Sequence, residues 1–451
     1  MLKITSVWSW LTAVSLLFVL SACADADPTP TATAVPPAPA LLTPNPTAET
    51  AYPPPSNPTT PAATSYPAPP TATPIPPATP PPSGYPAYPG GESGSAALFL
   101  PLVGVPSDVV AATDVATITP TPLPTDTPSP TPTPIPTIDF TAVQADLRAQ
   151  GQELGYSKLG FHIGVGGNRE GLDEFMRRHN EAGLPFFLKS VGDAGPLFEA
   201  QQAMAENGLP HTLVFRQAGN EFDTPNYDLP PAEAAQRHWE THLAVWPPEL
   251  DPAVVWMETI NEVDKVRSEW LAQFALETAK LALRDGRKWA AFGWSSGEPE
   301  ISDWESPAML EFLRLVGQHP DQLAIALHEY SYVNEDIADA YPFKVGRFQQ
   351  LFAVADRHGI PRPTVLITEW GWTYDSNPPL GTALEHIDWA ARLYAPYPEI
   401  KGAAIWYLGP GFQGIADETQ KLIAPLTVYN LTNYYVVPPE SAPLEPEKYR
   451  P

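Results

Sequence analysis

The chain has 451 residues, 59 prolines and a formal net charge of −26, from 25 Lys and Arg against 51 Asp and Glu. That balance argues against nucleic acid as a partner, because phosphate binding needs a basic surface, and against a polybasic grip on anionic lipid. The single cysteine, Cys23, excludes an intrachain disulfide, so the fold must rest on its core.

The first element in chain order is a short positive start, Met1 to Lys3, followed by an apolar run from Val7 to Leu20. The run has signal-peptide length and is short for a spanning helix. "LSAC", Leu20 to Cys23, resembles the lipobox of bacterial lipoproteins. That resemblance implies lipidation of Cys23 and an exported, cell-surface protein tethered to the membrane by acyl chains. Residues 1–23 are therefore expected to be a signal peptide. Residues 24–140 are rich in Pro, Thr and Ala, and no Lys or Arg stands between Lys3 and Arg148. Such a segment buries too little apolar surface to offset its chain entropy and favours extended polyproline II, so a disordered spacer is expected. One apolar island, Ala96 to Val105, interrupts it. It is too short to span a bilayer and is read as a hydrophobic bump in the linker.

From 141 to 451 the composition changes, and all nine His lie there. Eight short apolar runs follow in order: Lys158–Val165, Pro185–Val191, Thr212–Ala218, Ala253–Ile260, Lys288–Ser296, Leu323–Ser331, Thr364–Trp372 and Gly402–Gly409. Helical patterns such as "SEWLAQFALETAKLALRDG" lie between them. Near-continuous apolar strands alternating with helices predict a parallel sheet covered on both faces, and eight units predict closure into a (β/α)₈ TIM barrel. No Gly-rich phosphate loop follows the first strand, which disfavours an open doubly wound sheet.

In a barrel of this kind the chemistry lies at the C-terminal strand ends. There the chain places His162, Lys189, Arg216, "TINEVD", Trp294, "HEY", "TEWGW" and "WYLG". Aromatic, amide and carboxylate groups at strand ends suit a sugar pocket, with ring faces against sugar faces and polar groups for hydroxyls. "METINE", "LHEYS", "LITEWGW" and Trp406 resemble four motifs of the clan A retaining β-glycosidases, most closely glycoside hydrolase family five. The resemblance implies Glu262 as general acid/base and Glu369 as nucleophile. It implies that Asn261 contacts the sugar 2-hydroxyl and Tyr330 orients Glu369. His328 would line the pocket, Trp406 would lie under the reacting sugar, and Arg216 is the candidate for the family's arginine near the nucleophile. The chain departs from the family pattern around strand three, where it reads "RQAGNEFD".

Other residues are expected to have plainer roles. Glu258 shares the alternation of Trp256 and Glu262, so it is read as a structural carboxylate inside the barrel, with Arg216, Lys189 or His162 as partner. Glu181 is expected in solvent, Glu335 at a helix start, and Glu221 in a loop or substrate contact. Trp370 and Trp372 have the parity opposite to Glu369 and are assigned to the core, while Trp294 and Trp304 are left between core and subsite. No His-Glu-x-x-His, Cys cluster or nucleophile elbow appears, so neither metal nor cofactor is expected. The expectation is a monomeric retaining glycosidase that acts on a β-linked polymer or oligosaccharide, with endo-action on a glucan or mannan as the first candidate. The rival is a catalytically inactive carbohydrate-binding or wall-binding lipoprotein on the same barrel.

Overall fold

The structure, a computed structural model, describes residues 137–449. The signal segment, Cys23, the apolar island and nearly all of the Pro/Thr-rich spacer lie outside the described residues. Phe140, assigned to the end of the spacer, is buried and opens a helix, Phe140–Ala149. No helix among the described residues is long and apolar enough to cross a membrane.

Eight strands form the barrel: β1 (Leu159–Gly164), β2 (Phe187–Val191), β3 (Thr212–Arg216), β4 (Trp256–Glu258), β5 (Trp289–Trp294), β6 (Leu323–Tyr330), β7 (Thr364–Gly371) and β8 (Ile400–Ile405). Each pairs in parallel with the next, and β1 pairs with β8 to close the barrel. Each strand leads to a helix of ten or more residues, from Leu172–Glu181 after β1 to Ile423–Thr432 after β8. The (β/α)₈ barrel expected from the sequence is therefore the fold. The strands are buried on both faces because one face lines the barrel and the other meets the helices: all eight residues of β6 and all eight of β7 are buried. The helix after β4, Ser268–Arg284, turns Leu271, Ala275, Ala279 and Ala282 inward at helical spacing.

The interior is built in layers. At the N-terminal end Phe187, Val214, Trp256, Ala290, Ala324, Leu366 and Ala404 form one apolar cluster. Two large rings fit because their neighbours are small. A Cβ on Gly402 would lie 2.3 Å from the Phe187 ring, and one on Gly160 1.8 Å from the Phe187 carbonyl oxygen. Side chains alternate across a strand, so residues two further along also face inward. That step turns Phe187 into Lys189, Val214 into Arg216, Trp256 into Glu258, Leu366 into Thr368, Ala326 into His328 and Gly160 into His162. An apolar plug below thus carries a buried polar layer above.

Candidate active site

Three irregularities shape the upper layer. On β5 the pairing with β6 shifts between Phe292 and Trp294, around Phe292 and Gly293, both with positive φ. The turn sends Trp294 outward, where Trp294 and Trp304 pack edge to face, fully buried. Both tryptophans are therefore core and not subsite. A Cβ on Gly293 would lie 2.9 Å from Glu258 Oε1, so this glycine makes room for that carboxylate. On β6 and β7 the register shifts after Leu327, pairing His328 with Glu369. Thr368 and Glu369 then both reach inward, while Trp370 and Trp372 pack in the outer core as their parity predicts. Beyond β4 the chain leaves regular strand geometry, and Glu262 takes φ 46° with its N–H donating 2.8 Å to the Gly293 carbonyl. A left-handed glutamate costs conformational energy, and such strain concentrates at functional sites.

These turns bring Glu262 and Glu369 together around His328. His328 Nδ1 lies 3.2 Å from Glu262 Oε1 and 3.4 Å from Glu369 Oε2. Ionised carboxylates only accept, so Nδ1 carries the proton. Tyr330 also donates its hydroxyl to Glu262 Oε1. The resemblance assigned Tyr330 to Glu369. The bond from its hydroxyl runs from the end of β6 to Glu262, beside the left-handed turn. Burial pushes the Glu262 carboxyl up, but hydrogen bonds and charge from His328, with hydrogen bonds from Tyr330 and Ser295, outweigh it and hold the group at about 2.

Two cations of the inner layer, Arg216 and Lys189, have carboxylate partners. Arg216 Nη1 pairs with Asp223 Oδ1 at 3.1 Å, on the short helix Asn220–Asp223. Asp223 also accepts the Gly219 N–H at 3.0 Å through its side chain and the Asn261 N–H at 3.0 Å through its carbonyl. Arg216 thus ties the third loop to the backbone that precedes Glu262. The ammonium at Glu369 belongs to Lys189, fully buried, with Nζ 3.4 Å from Glu369 Oε1 and 3.0 Å from Glu258 Oε2. Glu258 is the buried structural carboxylate expected, and Lys189 is its partner. Burial pushes Glu258 up, and the charges of Lys189 and Arg216 bring it below the usual carboxylate range. His162 Nδ1 stands 3.9 Å from Glu369 Oε1. Burial, then Lys189 and Arg216, hold this imidazole well below its usual range, so it is neutral.

The remaining candidates fall into place around these groups. Asn261 is half-buried, and its side-chain oxygen is enclosed without a hydrogen-bond partner. Trp406 follows β8 half-buried, 4.8 Å from the Tyr407 ring in a stacked pair and edge to face with Phe412 at 4.7 Å. Glu221 is exposed, and its neighbour Asp223 makes the inward contact. Glu181 lies in solvent paired with Arg177, and Glu335 is exposed ahead of a short 3₁₀ turn.

Among the described residues one group offers metal-ligand atoms within 4.8 Å of one another: Glu262, His328 and Glu369. Their atoms already have partners. Glu262 accepts from Tyr330, His328 Nδ1 donates, and a cation would have to settle beside the fixed charge of Lys189. The donor set suits proton transfer better than metal binding. A cavity of about 620 Å³ opens at the opposite, N-terminal end of the barrel. Its three lysines point onto backbone carbonyls: Lys158 onto Tyr394 and Tyr397, Lys288 onto Asp321 and Lys401 onto Pro398. Neither Glu262 nor Glu369 lines it.

The motifs singled out Glu262, Glu369, His328 and Tyr330 but not Lys189 as the cation on Glu369. The signal was present: a lone charge in the apolar run "PFFLKSV", two residues past an inward-facing position.

No family model and no curated protein matches the chain. Solved structures do resemble it. A tri-modular family-five endo-β-1,4-glucanase from Bacillus licheniformis is 12% identical over 62% of this chain and 60% of that one, with a TM-score of 0.37. A family-five xyloglucanase from Bacteroides ovatus is 11% identical over 61% and 75%, with a TM-score of 0.32. A chitinase from Chromobacterium violaceum is 11% identical over 48% and 70%, at 0.29. These likenesses reach no further than the barrel, which the chain's own strand pairing establishes.

Proposed function

We propose that this chain hydrolyses β-linked glycans with retention of configuration, with Glu369 as nucleophile and Glu262 as acid/base. The observation that carries the reading is the convergence of both carboxylates on one buried imidazole, with ligand atoms of all three within 4.8 Å. Carboxyl groups about 5–5.5 Å apart suit covalent double displacement, whereas inversion needs about 6.5–9.5 Å to admit a water.

In the first step Glu369 attacks the anomeric carbon and forms an ester bond while the glycosidic C–O bond breaks. Glu262 gives its proton to the leaving oxygen. In the second step Glu262 takes a proton from water, the water oxygen attacks the anomeric carbon, and Glu369 leaves. The free site holds Glu262 ionised, so the proton has to be in place when the glycosidic oxygen arrives. Substrate supports that change by covering a carboxyl whose side chain is 18% exposed and by excluding solvent, both of which raise the cost of its charge. Asn261, which directly precedes Glu262, is read as the contact to a sugar hydroxyl, as the motif resemblance implies. Trp406 offers the ring face for the reacting sugar.

Initial products from β-glucan, mannan and xylan, read by proton NMR before mutarotation, should carry the β configuration. An α product, or hydrolysis of none, would sink the reading. In Glu262→Gln, aryl glycosides with good leaving groups should keep far more activity than natural glycans, because the acid is least needed there. Equal losses on both would remove Glu262 from the acid role.

The alternative reading is glycan binding without turnover on the same barrel. Calorimetric binding of oligosaccharides with no product would establish it. We further propose that Cys23 anchors the chain to a membrane through lipid. Cys23→Ala should release it to the soluble fraction, and retention in the membrane would count against the anchor.

A further inference from the structure

We propose that Lys189 is the resident counter-ion of the Glu369 carboxylate, and that Glu258 is the residue that holds this counter-ion in place. Both are positioning residues, and the inference rests on the reading of Glu369 as nucleophile.

The three groups form a buried column. Glu258 sits just above the apolar plug, two residues past Trp256. Its Oε1 accepts from Thr368 Oγ1 at 3.0 Å and its Oε2 lies 3.0 Å from Lys189 Nζ. Lys189 is in turn 3.4 Å from Glu369 Oε1. Lys189 and Glu258 are both fully buried, so neither reaches a sugar in the pocket. A lysine in a dry interior tends to lose its proton unless anions hold it, and here two carboxylates flank it. A buried carboxylate without a cation is equally costly. Each member therefore needs the other two.

The column also reaches both catalytic arms. Thr368 directly precedes Glu369, so the Glu258–Thr368 bond fixes β7 one residue before the attacking group. Glu258 Oε1 fills the space beside Gly293, whose carbonyl accepts the Glu262 N–H. The other charged and titratable groups facing Glu369 are His162 from β1 and His328 from β6. Arg216 from β3, Glu262 beyond β4 and Tyr330 from β6 complete the layer. The two histidines within 4 Å of Glu369 are positive only when protonated. Lys189 is the lysine at that range among the described residues, and its position is set by Glu258.

The test uses the full-length protein labelled with ¹³C at the glutamate side-chain carboxyls. The Glu369 resonance is assigned by its loss in Glu369→Gln and then titrated with pH. In Lys189→Met the midpoint should move to higher pH by about one unit or more, because an opposite charge has left the carboxylate. In Lys189→Arg it should return most of the way. Glu258→Gln, which frees Lys189 while removing a like charge, should move the midpoint up by less than Lys189→Met does, and a midpoint below wild type would remove Glu258 from the holding role. The same variant should lower kcat/KM by roughly 10-fold through lost positioning, a cost on the scale of one charge-assisted hydrogen bond. If Lys189→Met fails to fold around an unpaired Glu258, the Lys189→Met/Glu258→Gln pair removes both charges and should still shift the midpoint upward, by less than loss of Lys189 alone because a like charge has also gone. An unmoved midpoint in a folded variant lacking Lys189 overturns the proposal. The titration needs no substrate, so failure of the glycosidase reading would show separately, as absence of turnover in the wild type.

Discussion

The lower and upper halves of the barrel interior come from the same strands, two residues apart, and are built on opposite chemistry. Below, Phe187, Trp256, Val214 and Leu366 fill the space left by alanines and glycines. Above, Lys189, Glu258, Arg216 and Thr368 stand on the same strand faces roughly 6–7 Å further along. The plug shuts water out from beneath, and this gives the charges above their strength. In a dry layer an ion pair acts strongly, and an unpaired charge is severely penalised. The lower half is held by volume and the upper half by pairing.

Substitutions should separate these two modes. The largest effect is expected from Glu369→Gln, which should lower kcat by at least ~10³-fold in a barrel that remains folded. Full activity would remove Glu369 from the chemistry. Trp256→Ala should do the reverse. Deleting a buried ring from the plug should destabilise the fold by ~3–5 kcal/mol, read by denaturant unfolding, with activity retained at temperatures where the barrel stays folded. Loss of activity in a folded Trp256→Ala barrel would mean that the halves are not separable.

A smaller effect is expected from acid. The Glu262 carboxyl is held at about 2 in the fold against 4.5 for the free group. Its folded value is depressed, so the stability it contributes is present above about 4.5 and is lost as the pH falls towards about 2. Scanning calorimetry should therefore show a melting temperature that falls less across this window in Glu262→Gln than in wild type. Parallel curves would mean that the bonds from His328 and Tyr330 do not favour the ionised form. The smallest effect should come from Glu181→Gln. Its pair with Arg177 lies in solvent, and neither melting temperature nor activity should change measurably.

Glu181 and Glu262 both follow an asparagine, and the dipeptide alone says nothing about their difference. Position in the alternation of strand and helix does, and that much was legible in the sequence. Eight apolar runs separated by helices imply closure, closure implies one working end, and Glu262 and Glu369 lie at that end on the fourth and seventh strands. The inward step of two from Phe187 to Lys189 and from Trp256 to Glu258 could also be counted along the chain, because the period of a strand is a property of its backbone.

The partners could not be counted in that way. Tyr330 bonds Glu262, Lys189 reaches Glu369, and Arg216 turns to Asp223. These choices depend on the register shift between β6 and β7, the left-handed turn at Glu262 and the room that Gly293 leaves for Glu258. Each is a local break in periodicity, settled by how strands from distant parts of the chain fit around shared volume. Local sequence fixes which residues face inward. Only packing in three dimensions decides which inward-facing charges meet, since an ion pair is governed by a few ångströms that no spacing along the chain encodes.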